Sequence, residues 1–442
     1  MSGRMEGGKV LLLLACWVVL FFGLTTEASA QDAIDTGDTA WIIVASALVL
    51  FMMIPGLAMF YAGLVRNKNV LSVYMHCFTL TALVTVIWTA FGYSLAFDSA
   101  GLPEEGIGLH SFVGGFGKVF MKGVDADAVS GTIPEPLFFI FQMTFAIITP
   151  GLIVGAFAER MKLSAMLIFS GLWVTLVYFP SVYMVWGGGF LAQRGVIDFA
   201  GGIVVHLTAG VAALIAAIMV GQRKGYPTTP MPPHNLPMTL TGTAMLWVGW
   251  FGFNGGSALG ANGDAAMAIV VTQISPCIAA STWAGIEWIR NGKPSALGFA
   301  TGAIAGLAAI TPASGNVGAL GAFAIGLSAG IICYWASTTM KRALGYDDAL
   351  DVVGVHGFGG VVGTILVAFF ASSSLQGNLD DHNMLSQLGT QLLGLAVVGI
   401  WCAIVSFIIL KLTDVVIGLR IDEEGEQMGL DLADHGESGY NM

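Results

Sequence analysis

Two stretches decide the fold: D-F-A-G-G-I-V-V-H at residues 198–206 and D-A-L-D-V-V-G-V-H at residues 348–356. Each sets a histidine eight positions after an aspartate in glycine-rich surroundings, and each lies at the start of an apolar run. A looser echo joins F-Y-A-G at 60–63 to F-N-G-G at 253–256. Outward from these stretches, runs of membrane-crossing length follow at 41–61, 70–97, 137–158, 163–186, 199–221, 238–258, 265–289, 296–311, 317–339, 352–371 and 387–412. The expected fold is an all-α polytopic membrane protein. It has eleven transmembrane helices, arranged as two inverted five-helix repeats plus a final helix. An odd number of helices per repeat turns the second copy upside down relative to the first.

Composition agrees. Of 442 residues, 56% are hydrophobic and 10% charged, where soluble domains carry about 25% charged residues. The 60 glycines suit membrane helices, whose backbones approach closely at small residues. The net charge of −11 is concentrated at the end of the chain. Residues 421–442 hold Asp422, Glu423, Glu424, Glu426, Asp431, Asp434 and Glu437 and no Lys or Arg, so they read as a solvated acidic cytoplasmic tail. Nothing here resembles a nucleic-acid surface. At the other end, Arg4 and Lys9 precede an apolar run from 10 to 24 and then A-S-A at 28–30. That is the pattern of a cleaved signal peptide over 1–30, which leaves 31–420 as the membrane domain. Cys77, Cys277, Cys333 and Cys402 all fall in apolar spans, so no loop disulfide framework is expected.

Charge placement gives an orientation. With the mature N-terminus outside, the cytoplasmic segments receive Arg66, Lys68, Arg160, Lys162, Arg223, Lys224, Arg290, Lys293, Lys341, Arg342, Lys411 and Arg420. The outer segments receive only Lys118, Lys122 and Arg194. This is a strong positive-inside bias, and it puts the C-terminus in the cytoplasm. The expected location is a bacterial inner membrane. The outer loop over 98–135 is glycine-rich, and the inner connector over 226–237 is too proline-rich to be helical throughout.

The repeat also places the histidines. Eight residues at about 1.5 Å rise set each imidazole roughly 12 Å from its own aspartate. Asp198 starts from the outer face and Asp348 from the inner one. Across a core about 30 Å thick, His206 and His356 then approach the midplane from opposite sides, roughly 6 Å apart in depth. Either alone could be a core residue bonded to a carbonyl; a matched intramembrane pair reads as a pathway. A metal is not expected, because no third or fourth ligand accompanies them. For Asp198 and Asp348, capping of helix N-termini is the leading role and direct contact with a solute the sharper one. His76 has no such counterpart and reads as structural. His110, His234, His382 and His435 lie in loops or the tail and suggest no chemistry.

Phe141 and Phe145 share one face of the third helix, with Gln142 beside them. Trp250, Phe253 and Ser257 share a face of the sixth, and Trp186 closes the fourth beside G-G-G at 187–189. Such aromatics are commonly core or interface belt. Gathered at one mouth with a hydroxyl, they would attract a small cation, each ring contributing about 0.5–2 kcal/mol.

The chain resembles bacterial ammonium transporters of the Amt/Rh family over essentially its whole mature length. The matching stretches are I-P-G-L-A-M-F-Y-A-G-L (54–64), G-L-I-V-G-A-F-A-E-R (151–160), V-W-G-G-G (185–189), 198–206, P-H-N-L-P (233–237), G-W-F-G-F-N-G-G-S (249–257), G-A-I-A-G-L (302–307), D-V-V-G-V-H-G (351–357) and G-L-D-L-A-D-H-G-E (429–437). The resemblance implies a homotrimer with one narrow pore per subunit. It implies an outer ammonium-binding site of Phe141, Phe145, Trp186 and Ser257, with a gate of Phe145 and Phe253 beneath. It implies a pore with His206, His356 and Trp250, and Asp198 shaping the outer site without touching the ion. It further implies nitrogen uptake without a cofactor and a possible cytoplasmic PII-type regulatory partner.

The expected function is ammonium transport in which the outer site recruits the ion, a proton is removed, and ammonia passes the histidines. A bare cation in an apolar pore costs on the order of tens of kcal/mol, and ammonia avoids most of that. Potassium has no proton to give up. An enzyme is not expected, since no nucleophile or metal set accompanies the histidines. The alternatives are an ammonium sensor coupled to cytoplasmic regulation, and an amine or carbon dioxide channel of the same fold.

Overall fold

The computed structural model describes residues 34–103 and 106–440, so the expected signal peptide lies outside the described residues. The long helices, in chain order, are α1 (Thr36–Leu64), α2 (Asn67–Phe97), α3 (Glu135–Phe157), α4 (Leu163–Val185), α5 (Gly202–Val220), α6 (Leu236–Gly256), α7 (Gly263–Asn291), α8 (Ala296–Ala313), α9 (Ala319–Leu344), α10 (Val353–Phe370) and α11 (Met384–Ile417). Among the described residues ten of these are both long and apolar enough to cross a bilayer; α6 has the length alone. Its threonines Thr239, Thr241 and Thr243, its glycines and Asn254 dilute its apolar character. It nonetheless follows α1 from end to end. A Cβ on Gly63 would strike the Thr239 backbone, and one on Gly242 the Phe60 backbone. At the far end the Trp41 indole donates to the Gly255 carbonyl at 3.1 Å. The helix is longer at α1 and α11 than the hydropathy predicts, and α1 breaks midway where Ile54 (φ −127°, ψ 105°) leaves helical geometry before Pro55.

The crossing of α5 and α10 positions the site. Both begin with a π-helical segment, Gly202–Leu207 and Val353–Gly357, and each segment carries its histidine. Wide turns of this kind are often found at functional sites. The backbones meet glycine to glycine: a Cβ on Gly210 would lie 2.2 Å from the Gly357 Cα, and one on Gly360 would lie 2.5 Å from the Gly202 carbonyl oxygen. No other residue permits that approach, which is how small residues let membrane helices touch.

One end of the bundle carries the irregular loop over 98–135, where β1 (Val129–Ser130) and β2 (Ile133–Pro134) form a small hairpin. This is the loop side. The other, the tail side, is tied by buried ion pairs. Arg160 bonds Asp347 at 3.3 Å, Arg223 bonds Asp347 at 2.8 Å and Glu159 at 3.2 Å, and Arg66 reaches Glu159 at 2.9 Å. Burial alone would raise the Glu159 carboxyl, but Arg223 and Arg66 outweigh it and hold the group below its usual range.

The acidic tail is solvated only in part: Asp422, Glu423, Glu424 and Glu437 are exposed, while the other three acids pack on the bundle. Two short helices, α12 (Glu423–Met428) and α13 (Leu430–His435), fold back on the bundle and bury Glu426 and Asp431. The reason is local: the tail-side loops offer unsatisfied N–H and basic groups that the acids complete. Asp431 accepts from Ser72 N–H at 2.8 Å, Asp434 from Leu163 N–H at 3.1 Å, and Glu426 from Arg420 at 2.5 Å and Lys224 N–H at 2.8 Å. In return the Asn69 side-chain oxygen accepts from Leu430 N–H at 2.8 Å. His234, assigned no role from sequence, bridges the Val65 carbonyl and the Tyr440 hydroxyl, both at 2.9 Å. His76 is buried against Phe157 in a T-shaped contact, 6.3 Å between ring centroids, and neither of its nitrogens is bonded to protein. The four described cysteines are free.

Candidate functional site

A path of three compartments runs through the bundle between α1, α3, α5, α6 and α10. The loop-side compartment is a vestibule of about 320 Å³ lined by Phe138, Gln142, Phe145, Trp186, Phe199 and Ser257 among others. The Trp186 indole N–H donates to the Asp198 carbonyl oxygen at 2.7 Å, which fixes the ring across the mouth. Ser257, at the C-terminal end of α6, donates its hydroxyl to the Phe253 carbonyl at 2.8 Å. Its remaining lone pairs are left to accept from a donor in the vestibule. Of the four residues expected here, Phe141 is the one set back. It is fully buried behind the wall, edge-on to Phe145 at 5.0 Å between ring centroids and against Gly256. Phe138 and Phe199 stand in the wall instead, one near the start of α3 and one in the bend before α5, without a partner pattern in the sequence to single them out.

Beneath the vestibule Phe145 and Phe253 pack with centroids 4.3 Å apart. Phe253 in turn stacks on His206 at 6.1 Å, so the two phenyl rings stand between the vestibule and the histidines. Trp250 stacks on His206 from the side at 5.5 Å and anchors its indole N–H on Thr311 at 2.9 Å.

The middle compartment has room for about 10 Å³, roughly one water. Its walls are His206, His356, Trp250, Phe253 and aliphatic side chains, with no charged group among them. His206 and His356 lie nearly parallel, 5.2 Å between ring centroids, with their Nδ1 atoms 3.2 Å apart. The structure thus brings together the two histidines that the repeat singles out. One proton shared between two Nδ1 atoms forces complementary tautomers: the ring that donates at Nδ1 must accept at Nε2, and its neighbour the reverse. His206 Nε2 is buried with no protein partner.

Asp198 holds the start of α5. One carboxylate oxygen accepts from Gly201 and Gly202 N–H at 2.9 and 2.5 Å, the other from Ile203 and Val204 N–H at 2.8 and 3.0 Å. Its oxygens are thereby occupied by backbone, which is the capping role the sequence suggests. Asp348 caps α10 through Val353 N–H at 2.8 Å.

The tail-side compartment, about 180 Å³, is lined by Phe60, Tyr61, Thr301, Asp351 and His356 among others. Asp351 forms an ion pair with Lys341 and has a left-handed backbone, φ 63°. It stands inside the quoted repeat, yet sequence reasoning gave it no role, because an acid among apolar neighbours reads there as part of the cap.

A family model described as the Ammonium Transporter Family matches residues 40–440. An ammonium transporter of Bacillus subtilis (strain 168) is 45% identical over 409 residues, covering 91% of this chain and 98% of the relative. Among solved structures, Candida albicans Mep2 superposes with a TM-score of 0.82 at 34% identity, covering 94% of this chain and 92% of that one. A structure titled Sensor Amt Protein matches with a TM-score of 0.83 at 30% identity, covering 90% and 98%. The curated relative carries a transporter name rather than an enzyme name. The residues matched take in every helix of the pore described above, and the chain belongs to the ammonium transporter family.

Proposed function

We propose that this chain moves ammonium nitrogen across a bacterial inner membrane as neutral ammonia, through the pore that His206 and His356 divide. The observation that carries this reading is the histidine pair, Nδ1 to Nδ1 at 3.2 Å in a chamber of about one water's volume, set between two wider vestibules. A fixed cation in such a chamber would cost on the order of tens of kcal/mol, far above what ring faces return. A small neutral donor–acceptor molecule matches what a neutral imidazole pair offers.

In this mechanism ammonium enters the loop-side vestibule, drawn by the faces of Trp186 and Phe145, with Ser257 accepting one N–H and Phe141 backing the wall. Asp198 keeps Trp186 and the start of α5 in place and does not touch the ion, its oxygens being filled by four backbone N–H groups. The proton passes to water in the open loop-side vestibule, above the Phe145/Phe253 gate. Ammonia passes the parted rings, exchanges hydrogen bonds with the histidines beside Trp250, and is protonated again in the tail-side vestibule. Potassium has no proton to lose and is refused by the dry chamber.

The loop side faces outward and the tail side the cytoplasm, in line with the basic residues gathered on the tail side. The active form is a homotrimer of independent pores. Residues 421–442 lie where a PII-type regulator would meet the inner face, and 1–30 are a cleaved signal peptide. Proteoliposomes test the reading: ammonium should alter internal pH at a rate abolished in His206→Ala and His356→Ala variants, with no potassium flux. Unchanged rates in both variants would overturn it. Recording current in the same vesicles reports whether charge accompanies the nitrogen.

A further inference from the structure

The last helix, α11, lends no residue to the three compartments of the path among the described residues. It nonetheless carries Gln391, fully buried near its loop-side end. Glutamine is mostly exposed in proteins, and a buried amide costs free energy unless its polar atoms find partners. Both atoms of this one are filled. Its Oε1 accepts from the Ile197 N–H at 2.8 Å and from Gln387 Nε2 at 3.0 Å. Its Nε2 donates to the Ile197 carbonyl at 2.6 Å and to the Thr364 carbonyl at 3.2 Å. The two bonds to Ile197 run in opposite directions, the reciprocal exchange by which one strand holds another. One turn earlier, Gln387 Nε2 also donates to the Gly195 carbonyl at 2.9 Å.

What this strap holds is the backbone leading into Asp198. Val196 and Phe199 are tied through their N–H groups to the Leu191 and Pro312 carbonyls, at 3.2 and 3.1 Å. Between them, Ile197 takes the partners for both its N–H and its carbonyl from Gln391. The Ile197 carbonyl shares a rigid peptide plane with the Asp198 N–H, so fixing one restrains the other. The next carbonyl, that of Asp198, receives the Trp186 indole at 2.7 Å. On its other side the amide reaches Thr364 of α10, the helix that carries His356. One side chain outside the pore therefore joins the loop-side mouth to the helix of the second histidine.

We propose that Gln391 is a positioning residue for the loop-side site: through Ile197 and Asp198 it fixes the Trp186 ring across the vestibule, and so sets the affinity for ammonium without touching it. This role rests on the transport function proposed above. The test uses the full chain in proteoliposomes, with uptake normalised to protein. Gln391→Leu should raise the half-saturating ammonium concentration about five-fold, the loss of one oriented ring face, with the maximal rate near the parent's. Thr390→Ala, whose hydroxyl bonds the Ser386 carbonyl within α11, should match the parent. Gln391→Leu added to Trp186→Leu should change nothing further, because both remove the same oriented ring. Gln391→Glu separates the amide's bonds from its packing. Protonated, at about pH 6 for a buried carboxyl, it can donate to Ile197 as the amide does, and the parent's concentration dependence at that pH should return. Hydrogen exchange in detergent reads the strap without transport, and the amides of 196–201 should exchange faster in Gln391→Leu. Unchanged exchange or unchanged concentration dependence in Gln391→Leu overturns the proposal. So does a loss of maximal rate alone, an additive effect with Trp186→Leu, or a Gln391→Glu variant as impaired as Gln391→Leu at the lower pH. Uptake that persists in His206→Ala counts against the transport function alone, since exchange and the pairing with Trp186 still read the strap.

Discussion

Asp198 and Asp348 occupy matching places in the two repeats, yet they are bonded differently. Asp198 accepts four backbone N–H groups at the start of α5, and its carbonyl carries the Trp186 indole. Asp348 accepts Val353 N–H, its Oδ1 is buried without a partner, and its carbonyl is bonded by Lys341 at 3.2 Å. The histidines, by contrast, lie nearly parallel and meet Nδ1 to Nδ1. In the proposed mechanism the difference separates two demands on one motif: both imidazoles stand at the centre of the path, but only the loop-side mouth needs a fixed aromatic wall. The loop-side arm is fastened at every oxygen, and the tail-side arm has slack.

The largest expected effect breaks that comparison outright. Asp198→Ala would leave four N–H groups near the membrane boundary unpaired, at about 1–3 kcal/mol each for a buried donor. Assembled protein and uptake should both fall by more than ten-fold. Asp348→Ala removes one accepted bond and relieves an unpartnered oxygen, so uptake should stay within a few-fold of the parent. Equal damage from the two, measured as membrane-inserted protein and ammonium uptake side by side, would show the asymmetry to be without consequence.

The second effect concerns the equivalent members of the repeat. His206→Asp and His356→Asp each put a carboxylate where an intact cation meets its highest barrier, and a paired or hydrated ion escapes most of the isolated-charge cost. Both variants should leak potassium at least ten-fold above the parent in proteoliposomes. A leak in only one would mean that the two imidazoles do not share the exclusion. If neither leaks while remaining folded, exclusion resides at the Phe145/Phe253 pair.

A third comparison lies at the glycine crossing. A methyl on Gly210 would meet the Gly357 Cα at 2.2 Å, whereas one on Gly357 would lie 3.3 Å from the Gly210 Cα. Gly210→Ala should lose about 1–3 kcal/mol through overpacking and lower the thermal midpoint, with Gly357→Ala close to neutral. The smallest effect is at the mouths. Trp186→Leu with Ser257→Ala should raise the half-saturating ammonium concentration several-fold and leave the maximal rate nearly unchanged. Asp351→Asn at the other mouth should not shift the half-saturating concentration for inward uptake. An unchanged concentration dependence in the first variant would remove the recruiting role from the loop side.

The spacing of Asp198 to His206 and of Asp348 to His356 made the fold and the central pair legible, because a helix converts residue number into depth with little freedom. The family resemblance supplied the aromatic set, and the structure brings Phe145, Trp186 and Ser257 to one chamber but sets Phe141 behind its wall. That displacement was hidden because Phe141 and Phe145 share a helix face, and which of the two reaches the cavity depends on the neighbouring α6, where Gly256 admits the Phe141 ring. The tail was misread for a similar reason. Seven acids without a base look solvated when taken alone, and four of them are; the partners of the other three, Glu426, Asp431 and Asp434, are Ser72, Leu163, Lys224 and Arg420, from four separate places in the chain. The hydropathy of α6 understates it because Thr and Gly were chosen for contact with α1 and not for contact with lipid.

The docked tail has a further meaning in time. The bond from Leu430 to Asn69 joins residues 361 positions apart, and that from Asp431 to Ser72 joins residues 359 apart. Contacts of such separation form late, since nearly the whole chain must be laid down before their ends can meet. During synthesis, Asn69, Ser72 and Leu163 wait with open hydrogen-bonding positions while the later helices are added. The tail therefore closes them only after the eleven long helices have been made. A copy truncated before residue 429 would keep both histidines and the Phe145/Phe253 pair but leave Asn69 and Ser72 without their tail partners.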